Sequence, residues 1–110
     1  MNCVQRRIFR AFIASGGNPN DPRHAALLWQ FARAVAFALP EQVARVLDLM
    51  LRGDRETTYA RVAQQLGVSA QAARQYGSRG GRVLAEAVRR MEWNEPRWRE
   101  ASTPLSRGER

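Results

Sequence analysis

Cys3 and His24 are the only cysteine and the only histidine in a chain of 110 residues. One of each cannot build a zinc site, which needs three or four ligands, and a single cysteine has no intrachain disulfide partner. A thiol–imidazole nucleophile pair would need the two groups within hydrogen-bond reach. Cys3 instead falls in what reads as a frayed terminus, and His24 falls near the start of a different helix. No glycine-rich loop of the P-loop or dinucleotide type is present. These residue types therefore point away from an enzyme, with no catalytic residues, no metal and no cofactor expected.

The side chains that can do recognition chemistry are arginines. All eighteen basic residues are arginine, and against ten acidic residues they leave a net charge of +8. The excess is localised. Residues 1–20 hold three arginines and no acid, residues 57–90 hold six arginines and one acid, and the remaining segments are balanced. Arginine's planar donor fork matches phosphate oxygens and guanine edges, so a polyanion is the natural partner. Within the second cluster, Gln71, Arg74 and Gln75 are of the types that make bidentate contacts with adenine or guanine edges. Arg61, Ser78, Arg79 and Arg82 are suited to phosphates, and Thr58 can add its hydroxyl and nearby backbone amides at a helix start.

Those side chains must be held by elements that apolar spacing outlines. Val4, Ile8, Phe9, Phe12 and Ile13 recur at helical spacing, and residues 16–20 end that helix. Asp21 and Pro22 make a cap and first turn for a second helix over about 22–38, rich in alanine and with so little polar face that it should be buried on most sides. Pro40 opens a third helix with Val43, Val46, Leu47 and Met50 on one stripe, closing near Arg52 and Gly53. Thr57 reads as a cap after the polar loop, and a fourth helix carries Tyr59, Val62, Ala63 and Leu66. Gly67, Val68 and Ser69 separate it from a fifth helix that starts at Ala70, the spacing of a helix-turn-helix. Val62 and Leu66 bury the first helix of the pair, Ala63 permits a close crossing, Gly67 suits the left-handed turn, Val68 plugs the angle, Ser69 caps, and Ala73 and Tyr76 point inward. From about residue 93 the periodicity fades into an expected flexible tail. The predicted fold is all-α with about five helices: an N-terminal helical pair at 1–38 for packing or dimerisation, a helix-turn-helix domain at 39–92, and a disordered C-terminal tail at 93–110.

Residues 39–90 resemble the last conserved region of bacterial sigma factors, above all the small extracytoplasmic-function group. The resemblance rests on the Leu39-Pro40 opening and on Tyr59, Val62, Ala63, Leu66, Gly67, Val68 and Ser69, which match Tyr-x-x-[Ile/Val]-Ala-x-x-Leu-Gly-[Ile/Val]-Ser without a gap. It implies a domain that reads a promoter element through the fifth helix and docks on the flap of the polymerase β subunit. About half the chain is covered, and the roughly forty residues up to Pro40 are too few for a promoter-melting domain. The resemblance therefore implies one part of a sigma factor in independent use, as in small phage and plasmid transcription regulators. Gly77 departs from the family, which has a large apolar residue there, and Gly80 and Gly81 follow. Each glycine inside a helix costs about 1 kcal/mol relative to alanine. Either the helix breaks near Tyr76, or it continues with a kink and the glycines admit DNA or a neighbouring helix; the kinked, nearly continuous helix is the expectation.

Trp29, Phe31 and Phe37 read as core, with a dimer interface as the sharper alternative, because the second helix looks more apolar than a monomer of this size can bury. Trp93 and Trp98 either fold back on the bundle or anchor a protein partner. Arginines interrupt the apolar residues of Met1 to Ser15 where a secretory signal would be continuous. The longest apolar stretch, Trp29 to Leu39, is broken by Gln30 and Arg33, short of the ~20 residues of a membrane span. The expectation is a cytoplasmic regulator that binds double-stranded DNA, with homodimerisation as the usual route to half-site specificity. The alternative is a sigma mimic or antiterminator-type protein that holds RNA polymerase with DNA contact secondary.

Overall fold

Five helices and no strand make up the described residues 1–93 of the computed structural model: α1 (Cys3–Ala14), α2 (Pro22–Phe37), α3 (Glu41–Arg52), α4 (Tyr59–Leu66) and α5 (Ala70–Arg89). The all-α expectation is met. Among the described residues, no helix is long and apolar enough to cross a membrane.

Most helix starts are set by side-chain caps that occupy otherwise orphaned amides. Asp21 accepts from the Arg23 amide ahead of Pro22, Thr58 from the Arg61 amide, and Ser69 from the Ala72 amide. The N-terminus, read from sequence as frayed, is tied down. Asn2 and Gln5 form a reciprocal capping box on α1. The Asn2 amide also donates to the Met50 carbonyl at 2.7 Å, and the Gln5 amide donates to the Leu51 and Gly53 carbonyls at 3.0 and 2.8 Å. One pair of side chains thus starts α1 and satisfies the end of α3.

α5 is the central element, packed against α1, α3, α4 and, less extensively, α2. It runs unbroken through Gly77, Gly80 and Gly81, all buried. The reason is close approach by neighbours. A Cβ on Gly77 would collide with the Tyr59 ring of α4, and one on Gly80 would lie 2.5 Å from Leu47 Cδ1 and 2.7 Å from Val43 Cγ1 of α3. The propensity lost at these positions is exchanged for a tighter interface than any side chain would permit.

Three expectations need correction. First, α4 is capped by Thr58 and not by Thr57, whose hydroxyl instead accepts from the Asp54 amide at 3.0 Å; α1 lies on α5 and α3, α2 lies on α3 and α5, and residues of all five helices join one core cluster. Second, α2 buries only one stripe, His24, Leu28, Ala32 and Ala36, while Trp29 and Phe31 are half-buried and Phe37 is 89% exposed. Its many alanines narrow the side that would otherwise need covering. Third, Trp93 is neither tail nor exposed anchor. It is 2% exposed, its indole N–H donates to Ser15 Oγ at 3.0 Å, and its ring meets the Phe12 ring edge-on at 4.9 Å. Folding back buries a large aromatic and satisfies its donor at once. Trp98 and the expected tail from residue 94 onward lie outside the described residues.

Candidate nucleic-acid interface

The turn between α4 and α5 has the geometry its sequence demands. Gly67 adopts φ +70°, ψ 31°, in the left-handed region, and its amide returns to the Ala63 carbonyl. Val62 and Ala63 are buried, as is Ala73, while Leu66, Val68 and Tyr76 are half-buried between the two helices and their neighbours. The inward face of α5 is consumed by Ala73, Gly77, Gly80 and Leu84. Residues on the opposite face have nowhere to point but solvent.

That outward face carries the residues expected from sequence. Gln71, Gln75, Ser78 and Arg82 follow one another at steps of four, three and four, so they share a single line along the helix. All four are exposed, as are Arg74 and Arg79 on either side of the line. From Gln71 to Arg82 the stripe runs about 16 Å along the axis. Arg61 is exposed on α4, and Thr58 is exposed with its oxygen accepting from the Arg61 amide at 3.2 Å, which leaves the hydroxyl hydrogen free to donate.

Charge on this face is mostly of one sign. Among the described residues the arginine–carboxylate pairs are Arg23–Asp21, Arg45–Glu41 and Arg52–Asp48, all on α2 and α3 or their caps. None of the arginines of α4 and α5 belongs to such a pair. Exposed pairs are weak, but they cancel field; here the one acid on α4 and α5 is the exposed Glu86, a turn beyond Arg82 at the C-terminal end of the stripe. A cleft or ridge of one sign raises the local concentration of a polyanion and speeds encounter.

Two features were harder to read from sequence. Arg7 of α1 is half-buried beside α5 and its guanidinium donates to the Ser78 carbonyl at 3.2 Å, so α1 borders the stripe. Its placement depends on α1 packing on α5, which no local spacing encodes. Tyr59 lies under α5 against Gly77. Burial pushes its phenol well above the usual tyrosine range, and the hydrogen bond and charge of Cys3 push it the same way, partly opposed by Arg7 and Arg74. The phenol stays neutral and structural.

Of the remaining candidates, Trp29 and Phe31 pack partly against the core and Phe37 alone presents a free ring. His24 is buried, with Nδ1 accepting from the Asn18 amide at 3.0 Å and its ring against Phe12 and Trp93, whereas the exposed Cys3 neighbours Tyr59. Among the described residues no three potential metal ligands come together. No family model, no curated protein and no solved structure matches this chain.

Proposed function

We propose that the protein is a cytoplasmic transcription regulator that binds duplex DNA sequence-specifically, with α5 in the major groove. The observation that carries this reading is the exposed stripe of Gln71, Gln75, Ser78 and Arg82, flanked by Arg74 and Arg79 and free of acidic partners among the described residues. Glutamine amides at the N-terminal end of the helix, where a recognition helix meets base edges, supply hydrogen-bonding pairs for adenine. Arg61, Arg79 and Arg82, with the hydroxyls of Thr58 and Ser78, hold the phosphates on either side. The resemblance to the sigma-factor region supports the same face, since its matching residues frame the same turn.

The test is selection of bound genomic DNA at physiological salt, followed by titration of the selected site. Arg61, Arg79 and Arg82 as three phosphate contacts contribute about −2.7 per protomer to the slope of log K against log salt. Gln71→Ala and Gln75→Ala should relax the consensus at single positions, each costing about 1–3 kcal/mol of discrimination. A palindromic consensus would indicate two copies, for which Phe37 is the most exposed large apolar side chain among the described residues. No enriched sequence would refute the reading. If polymerase were then retained by the protein and by Arg74→Ala alike, a polymerase-holding role would replace it, without Trp93, whose burial removes it as an anchor.

A further inference from the structure

We infer that a groove between the N-termini of α1 and α4 binds a phosphate group, and that Arg74 serves this groove with Arg6 and Arg55 instead of reading a base edge. The groove has a volume of about 330 Å³, and its lining includes Arg6, Arg55, Arg74, Cys3, Thr58 and Tyr59. Its three guanidinium groups come from three separate parts of the chain: α1, the loop after α3, and α5. They are brought together only because α1 lies along α5.

All three arginines are exposed, and among the described residues none is paired with a carboxylate. Arg6 makes one hydrogen bond, to the Met1 carbonyl at 2.7 Å, which fixes it beside the groove and leaves most of its donors free. Arg55 has acidic neighbours in Asp54 and Glu56, with which it also lines an adjoining hollow beside Trp29 and Leu51. The Asp54 carboxylate accepts from the Glu56 amide at 2.8 Å, and neither acid lines the groove itself. Three like charges held around one concavity repel each other, and a bound anion with several acceptor oxygens relieves that repulsion while pairing with planar donor forks. The half-buried Tyr59 phenol and the Thr58 hydroxyl add neutral polar groups at the wall.

Arg74 belongs to both surfaces. It sits on the α1 side of the Gln71–Gln75 line, so the groove is continuous with the stripe, and a strand whose bases face α5 would pass its backbone over Arg6 and Arg55. This source of the phosphate rests on the proposed function; a free phosphate or nucleotide is the other source of the same chemistry. In the full chain, Arg6→Ala and Arg55→Ala should each lower the magnitude of the salt slope for the selected duplex by about 0.9, uniformly across sequences. Lysine at either position should restore the slope. Arg74→Ala should act in the same way and leave the consensus unchanged.

A parallel titration with inorganic phosphate, followed through the amide resonances of Cys3, Thr58 and Tyr59, separates the sources. Shifts that vanish in Arg6→Ala/Arg55→Ala, with DNA slopes unaltered, would support the site with free phosphate as its ligand. Unaltered slopes and no phosphate-dependent shifts would overturn it. Relaxed specificity at one base in Arg74→Ala, without a change in slope, would overturn the role given to Arg74. If the unmodified protein bound no DNA, the proposed function would fail, and the phosphate titration alone would decide the groove.

Discussion

Gly80 and Gly81 are neighbours in the interior of α5 and differ in what lies over them, so a paired alanine substitution isolates packing from propensity. Alanine favours a helix over glycine by about 1 kcal/mol at either position. On Gly81 the new Cβ would meet Arg7 at 3.4 Å and 3.7 Å, close to ordinary contact with a long side chain that can shift. Gly81→Ala should therefore stabilise by about 1 kcal/mol, raising Tm by about 4–8 °C for a domain of this size. On Gly80 the same Cβ would be 2.5 Å from Leu47 Cδ1 and 2.7 Å from Val43 Cγ1. Leu47 is 0% exposed and Val43 6%, so neither methyl has room to retreat. Overpacking of this kind costs about 1–3 kcal/mol, which outweighs or cancels the propensity gain and leaves Gly80→Ala destabilised by about 1 kcal/mol. Urea unfolding followed by circular dichroism should separate the two variants by about 2 kcal/mol. If Gly80→Ala were as stable as Gly81→Ala, the close α3–α5 contact would be wrong, and with it the account of why the glycines stand in this helix.

Asn2→Ala removes an α1 cap and the buried donor to the Met50 carbonyl, and should cost about 1–3 kcal/mol in the same assay, whereas a frayed terminus would show no change. Trp93→Ala should cost about 3–5 kcal/mol, and Trp93→Phe less, since the phenyl ring keeps much of the packing on Phe12 while losing the bond to Ser15. The hydrogen bond from the Arg23 amide holds Asp21 below the usual carboxylate range; burial opposes it, and the charges of Arg23 and His24 and the His24 amide add weaker pulls downward. Its folded pKa is depressed, so its contribution is present at neutral pH and lost as pH falls through that lowered value. The unfolding midpoints of the unmodified protein and Asp21→Ala should then converge on acidification; a constant gap would refute the linkage. Phe37→Ser should leave monomer stability within about 0.5 kcal/mol, because the ring is 89% exposed, and loss of any self-association in sedimentation would identify it as the dimer contact.

Much of this architecture is legible in local patterns because local physics sets it. A cap residue two or three positions before the amide it serves, a glycine where a left-handed turn is required, and apolar residues at helical spacing each act within one turn of chain. Asp21, Ser69 and Gly67 accordingly behave as their positions dictate, while the cap of α4 falls one residue later than Thr57, on Thr58. The outward stripe on α5 follows from the same rule, since fixing Ala73 inward fixes Gln71, Gln75, Ser78 and Arg82 outward. Boundaries agree to within a residue or two, and α2 ends at Phe37, where its spacing allowed one residue more.

Contacts between distant segments are another matter. Composition made α2 look buried, but burial depends on how many neighbours an element finds, and a peripheral helix can leave a phenylalanine in solvent. Helix propensity counted Gly77 and Gly80 as a weakness, because that scale knows nothing of Tyr59, Val43 and Leu47 pressing on them. Trp93 had no periodic context, and only the space between Phe12, His24 and Ser15 gives it a place. The sequence by itself determined the five helices, the turn and the outward face of α5, all governed by interactions a few residues apart. The tertiary structure alone decided that α1 lies along α5 and brings Arg6 and Arg7 to that face, because such packing is a sum over contacts more than seventy positions apart, such as Arg7 to Ser78.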